Sequence, residues 1–250
     1  MKNLNKIFNL ILPIFTVGVL LMVWSLVALV QDNEFVVPSI EKTMQEFATL
    51  LGEKNFYIAL LATLRRSVIA FLLSFLISFI LAYFASKKSW AEKVILTTMS
   101  ITRTFPTIAI AWLILFWTNR EIAPIVITML VVLPTSYTQI KGALDGVNKN
   151  TLEAGKVDGA GWINVFIKIE LPQIAPQVYS VIGSGLALNF KLMVAAEVLS
   201  TTLKSLGNMI NLATPFNVAR VLSLSIVVIV LGLIVEFVFN KLSKMAGTWQ

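Results

Sequence analysis

Asn189, Lys191 and Glu197 stand close together inside a long apolar run, and Arg103 stands inside another. Ionisable groups are expensive in an apolar stretch of this length, so each calls for a partner or a task. Two chemistries are open to them. They can line a polar route through which a solute passes, or they can satisfy one another across packed helices. Glu197 follows Met193 by four residues and shares its helical face, whereas Lys191 lies six residues before Glu197 on a different face. Asn189 or Lys191 is therefore a candidate pathway residue, and a cation there would favour an anionic solute. Arg103 is expected in an interhelix ion pair, snorkelling toward the interface, or in a gate, and Glu236 beside Lys241 or Arg103. The chain has no Cys and no His. Thiol nucleophiles, imidazole bases and the usual zinc sites are excluded together. Carboxylates inside the apolar runs are too few for a dimetal centre, so catalysis has no visible machinery.

A second constellation lies in the polar segment 141–176. Asp145, Glu153, Asp158 and Glu170 alternate with Lys141, Lys149, Lys156 and Lys168. Thr151 is expected to cap a helix running through Glu153 and Ala154. Gly159 and Gly161 then interrupt it, and a second helical run over 162–169 is expected to end at Pro172 and Pro176. The small residues Ala154, Gly155, Gly159, Ala160 and Gly161 permit close approach by another surface. A helix–turn–helix with mixed charges and small residues suits a protein contact.

The elements that must position these groups are membrane spans. Hydrophobic residues make up 57% of the chain and charged residues 13%, against about a quarter charged in soluble domains. Six spans are expected, over 7–30, 58–86, 91–118, 122–140, 177–201 and 218–240, giving one all-α integral membrane domain over 1–250. Pro106, Pro124 and Pro134 predict kinks. With the N-terminus inside, the inner segments hold Lys2, Lys6, Lys87, Lys88, Lys93, Lys141, Lys149, Lys156, Lys168, Lys241 and Lys244, and the outer ones only Lys42, Lys54, Arg120 and Lys204. Both termini are therefore expected in the cytoplasm. The outer segment 31–57 predicts a short amphipathic surface helix after Ser39, with Met44, Phe47, Ala48 and Leu51 on its apolar face. Gly183, Gly185 and Ala187 predict close helix packing. The net charge of +7 is scattered between spans and forms no nucleic-acid patch.

The segment 153–172 resembles the EAA loop of ABC importer permeases, whose pattern is Glu-Ala-Ala, three residues, Gly, nine residues, Ile, one residue, Leu-Pro. Glu153, Ala154, Gly155, Gly159, Ile169, Leu171 and Pro172 match it at the same spacing, with Gly155 where Ala is usual. From about residue 36 onward the chain resembles the nitrate/sulfonate/taurine branch. Val37-Pro38-Ser39, Thr63-Leu64-Arg65-Arg66, Arg103-Thr-Phe-Pro106, Val194-Ala195-Ala196-Glu197 and Leu206-Gly207-Asn208-Met209-Ile210 carry that likeness, and Lys191 stands near where Trp is common. The resemblance implies the type I importer permease architecture in a bacterial inner membrane. It implies two permease copies, a homodimer by default, each docking an ATP-binding subunit at a coupling helix near Gly159. It also implies an external binding protein that delivers a small anionic or vitamin-like solute. No Gly-x-x-x-x-Gly-Lys-Ser/Thr loop occurs, so ATP and Mg would belong to the partner ATPase and no cofactor to this chain. The alternatives are a permease of another branch carrying a cationic or neutral solute, or a transporter that works without ATP.

Overall fold

A stripe of small residues decides where the bundle is tightest. Thr63, Ser67, Ala70, Ser74, Ser78, Ala82 and Ala85 recur at helical spacing and are buried along α3 (Lys54–Lys87). They let its backbone come close to α6 (Ala123–Asp145) and α8 (Trp162–Ser200). The structure, a computed structural model, describes residues 2–157 and 161–247. The remaining described elements are the helices α1 (Lys2–Gln31), α2 (Ile40–Leu51), α4 (Ser89–Thr104), α5 (Thr107–Trp117), α7 (Lys149–Val157), α9 (Leu206–Ala213) and α10 (Val218–Gly247). No strand occurs among the described residues. Helices α3, α6, α8 and α10 are each long and apolar enough to cross a membrane, and α4 with α5 add a fifth crossing if taken as one broken span.

That break departs from the expected single kinked span over 91–118. Helices α4 and α5 meet at 96°. Phe105 is extended, with φ −65° and ψ 134°, because the ring of Pro106 disfavours the helical region for the residue before it. Arg103 then donates to the Pro134 carbonyl at 2.6 Å and to Thr138 Oγ1, fixing the end of α4 on α6 beside Pro134.

Pro172 and Pro176 do not end a helix. The helix from Trp162 runs through both to Ser200. A π turn over Phe166–Glu170, in which the Leu171 N–H bonds the Phe166 carbonyl, widens the coil just before Pro172. The extra residue relieves the clash that a proline ring makes with the preceding turn. The segment 141–176 thus holds the end of α6, the helix α7 and the first part of α8, rather than a loop followed by a span.

The expected helix after Ser39 forms as α2, and Ser39 caps it, its Oγ accepting the Lys42 N–H at 3.3 Å. Thr43, Phe47 and Leu50 turn toward α10, and Met44, Ala48 and Leu51 stay exposed. Arg220 pairs with Glu53 and lies 3.9 Å from Glu46, while Asn217 donates to Glu46 at 2.8 Å, so α2 is tied to the start of α10 by polar contacts.

Gly183 and Gly185 pack within the chain. A Cβ at Gly183 would lie 2.5 Å from Phe239 Cβ on α10, and one at Gly185 would lie 2.8 Å from the Phe71 ring on α3. The atom facing Gly183 is the root of a side chain and cannot swing away. Gly183→Ala is expected to cost about 1–3 kcal/mol. Denaturant unfolding of the purified chain in detergent, against Gly142→Ala, where nothing lies within 4 Å, measures it.

Candidate functional site

The hairpin formed by α7 and the start of α8 is built on a clamped base. Asn148, rather than Thr151, caps α7: its Oδ1 accepts the Asn150 N–H at 2.9 Å, and Thr151 Oγ1 donates back to the Asn148 carbonyl at 2.7 Å. Gln173 on α8 accepts the Asn148 N–H at 3.1 Å and donates to Thr151 at 3.0 Å. Glu170 is buried and pairs with Lys87 at the end of α3. Lys141, also buried, holds Glu92 of α4 at 2.9 Å and Asp145 at 2.6 Å. Pairs sheltered in this way are screened far less than surface pairs.

The substitution of Gly for Ala at 155 has a packing cause. Gly155 is buried, and a Cβ there would lie 2.5 Å from Ile169 Cδ1. Helix α7 therefore sits closer to α8 than an alanine would allow without moving Ile169. Beyond this contact the hairpin turns apolar side chains outward: Val157 is 86% exposed and Trp162 72%, with Ile163 and Ile167 also exposed. Glu153, Gly161 and Pro172 are exposed and Leu171 is half-buried. Asp158, Gly159 and Ala160 lie outside the described residues. For Ala154 the helix is described but not the side chain.

The charges of α8 divide into two groups. Glu197 is fully buried. Its Oε1 accepts Arg66 Nη1 at 2.9 Å, and its Oε2 accepts Thr63 Oγ1 at 2.9 Å and the Gly207 N–H at 3.4 Å. Arg66 goes on to Glu121 Oε2 at 2.6 Å. Thr63 Oγ1 also accepts the Leu206 N–H at 3.0 Å. The chain returns from α8 to α9 through Thr201 and Lys204, at φ 47° and 48°. A β-branched residue at positive φ is a strained choice, and the Thr201 N–H bonded to the Val198 carbonyl helps hold it there. Asn189 is fully buried too, donating to Ser67 Oγ at 2.6 Å and to its carbonyl at 2.7 Å.

Lys191 points the other way. It is exposed on the face of α8 that carries Ser184, Leu188 and Ala195, and lines a cavity of about 710 Å³ between α8 and α10. Glu236 of α10 lines the same cavity and pairs with neither Lys241 nor Arg103, contrary to expectation. Arg103 has no carboxylate partner among the described residues, only its bonds to Pro134 and Thr138. Of the four candidate pathway residues, the structure joins Glu197 to a buried network, Asn189 and Arg103 to neighbouring helices, and Lys191 to an open cavity. Glu121 is the residue that the sequence alone did not single out, and Arg66 stood there only within the Thr63-Leu64-Arg65-Arg66 run. Thr63 and Arg66, three apart on one face of α3, were the available signal.

No group of three or more His, Cys, Asp or Glu residues placed to hold a metal occurs among the described residues. A helical membrane bundle with a polar network at one end of its longest helix and an apolar-tipped hairpin at the other has the form of a transport subunit driven by a partner. The architecture is that of type I ABC importer permeases. The structure overlays the MetNI methionine ABC transporter in an inward-facing conformation with a TM-score of 0.64, at 17% identity, over 75% of this chain and 94% of that one. The chain belongs to the family of binding-protein-dependent transport system inner membrane components, whose model matches residues 74–245. It is 24% identical over 248 residues to the taurine transport system permease protein TauC of Escherichia coli (strain K12), covering 96% of this chain and 90% of that one. The permease protein SsuC of the same organism, named for aliphatic sulfonates, is 26% identical over 166 residues, 66% of this chain and 63% of that one. These likenesses fall in the nitrate/sulfonate/taurine branch. The chain is therefore the membrane-spanning subunit of an ABC importer, and the ATP-independent alternative gives way. Membership implies an ATP-binding subunit and a solute-binding protein as partners.

Proposed function

We propose that two copies of this chain pair in a bacterial inner membrane with both termini in the cytoplasm, and that each docks one ATP-binding subunit on its 149–172 hairpin. ATP and Mg are held by that partner. This chain contributes no catalytic group and binds no cofactor. The observation that carries the reading is the apolar tip, Val157, Trp162, Ile163 and Ile167, exposed on a hairpin whose base is clamped by Lys87–Glu170 and Lys141–Glu92. Exposed apolar groups grouped on a fixed scaffold suit a protein contact.

The same geometry supports a means of coupling. Trp162 and Lys191 lie on one unbroken helix of 39 residues, about 58 Å long at the usual rise. A rigid-body displacement of the tip, as a closing ATPase pair would impose, is carried along α8 to the cavity that Lys191 lines. A small solute with an anionic group, handed over by an external binding protein, passes along this face of α8.

Trp162→Asp tests the docking. In mild detergent the tagged wild-type chain is expected to retain its ATP-binding subunit. The variant is expected to lose about nine-tenths of it, the loss that goes with roughly 1.4 kcal/mol or more, while eluting as the same folded permease. Retention of the full amount of ATPase by the variant would remove the hairpin from the interface.

A further inference from the structure

Arg65 and Lys204 line one open cavity of about 550 Å³ at the end of the bundle away from the hairpin, and both are exposed. Neither makes an ion pair or a side-chain hydrogen bond with any described residue. Their backbones are fastened to each other: Arg66, next to Arg65, donates to the carbonyl of Leu203, next to Lys204, at 3.4 Å. The acids grouped with them are already taken. Glu121, in the same cavity, is held by Arg66, and Glu53, in the neighbouring cavity that Lys204 also borders, by Arg220. The counter-charge for Arg65 and Lys204 therefore comes from outside the chain.

Depth says what carries that charge. By the usual helical rise Arg65 stands about 33 Å before Lys87, the basic end of α3, and the hydrocarbon of a bilayer is about 30 Å thick. With Lys87 at one headgroup level, Arg65 is at the other. Trp117, exposed at the end of α5, marks the same level: Thr202 Oγ1 donates to the carbonyl of nearby Arg120 at 2.8 Å, and tryptophan favours that depth. From Arg65 toward Lys87, Val68, Leu72, Leu76 and Ile80 follow on one face of α3, and all four are exposed. We infer that an anionic phospholipid binds here, its phosphate between Arg65 and Lys204 and an acyl chain along Val68, Leu72 and Leu76. A guanidinium meets two phosphate oxygens at once, and an ammonium adds a point charge. A lipid with its own ammonium would set that cation against Arg65 or Lys204, so the site favours lipids of net negative charge. The seated phosphate joins α3 to the link between α8 and α9, beside the Arg66–Glu121 pair.

Native mass spectrometry of the permease assembled with its ATP-binding subunit, stripped of lipid in mild detergent, tests this. Dioleoyl phosphatidylglycerol and dioleoyl phosphatidylcholine are titrated in turn, and the fraction of complex carrying a lipid is read. The wild-type complex is expected to bind the phosphatidylglycerol about tenfold more tightly. Arg65→Gln with Lys204→Gln, both at exposed positions, is expected to weaken that binding about tenfold and to erase the preference between the two lipids. Lys42→Gln with Lys54→Gln removes the same charge from the same end outside the cavity, and should change it less than about twofold. Excess glycerol phosphate is expected to leave the bound phosphatidylglycerol in place, because it lacks the acyl chain that lies on α3. Equal binding of the two lipids, or undiminished binding by the Arg65→Gln, Lys204→Gln complex, would overturn the site. Displacement by glycerol phosphate would make the ligand a free phosphate ester and overturn the lipid. Binding of no lipid by the assembled wild-type complex would mean that a second copy of the chain covers this face, and would overturn the inference as well.

Discussion

Glu197→Ala is expected to lower the stability of the purified permease by about 3–5 kcal/mol, the cost of stripping the partner from a buried charge. Arg66 is 5% exposed and cannot turn to water. It would keep Glu121, but Glu121 is half in solvent, and the Nη1 donor that now meets Glu197 at 2.9 Å would be stranded. The Gly207 N–H would lose its acceptor in the same step. Glu197→Gln keeps an acceptor for Thr63 or Gly207 while removing the charge, and should fall between wild type and Glu197→Ala. The decisive variant is the pair Arg66→Met with Glu197→Leu. If desolvation of an orphaned charge is the cause, the double change recovers most of the loss, because apolar residues of similar volume replace the buried pair. Unfolding by SDS titration, followed through tryptophan fluorescence, measures all three. A Glu197→Ala variant within about 1 kcal/mol of wild type, the size of an ordinary surface pair, would mean that the network does not hold α3, α8 and α9 together.

That network marks the limit of what the sequence discloses. The apolar runs were legible because a span needs a fixed length of apolar residues whatever its neighbours. Helix α2 was legible from the spacing of Met44, Phe47, Ala48 and Leu51 after Ser39, a local periodicity. The 141–176 hairpin was legible because its charges, small residues and spacing are local as well. Partners are not local. Glu197 and Arg66 stand 131 residues apart in the chain, and nothing in their surroundings names one for the other. The face of Lys191 could be separated from that of Glu197 by helical geometry, but not the presence of Glu236 across the cavity.

The prolines show the same division. Pro106, Pro134 and Pro172 all signalled disturbance. Its extent depended on what lay alongside. At Pro106 the extended Phe105 let the chain turn by 96°, with Arg103 anchored on the Pro134 carbonyl. At Pro172 the π turn absorbed the ring, and the helix continued. Buried contacts on both sides of that turn, Val165 below it and Ile174 above, favour an unbroken helix over a loop. Pro172 in the matched motif is thus part of the rod that joins the hairpin to the cavity, which the motif alone does not disclose.

Gly207→Ala is expected to be the most damaging of the glycine changes, at about 3 kcal/mol or beyond, the upper end for forcing an extra methyl group into a packed interior. The position lies at the start of α9, pressed on the last turns of α8. A Cβ there would stand 2.5 Å from Glu197 Cβ, 2.6 Å from the Val198 nitrogen and 2.7 Å from the Glu197 carbonyl carbon. Two of these three atoms are backbone of a fully hydrogen-bonded helix, so α9 must move rather than its neighbour. Moving it lengthens the Gly207 N–H bond to Glu197 and the Leu206 N–H bond to Thr63, the two links that seat α9 on the network. Ile210 of α9 also lines the cavity of Lys191, so the displacement should reach the solute as well as the fold. Transport by the reconstituted importer is expected to fall further than the loss of folded protein accounts for. Gly142→Ala separates this effect from glycine replacement in general: open space surrounds that position inside α6, and alanine there should stabilise by about 0.5–1 kcal/mol through helix propensity alone. Equal behaviour of the two variants would mean that α9 is not fixed by its contact with Glu197. A loss confined to Gly207→Ala would identify that contact as the seat on which α9 and its side of the cavity depend.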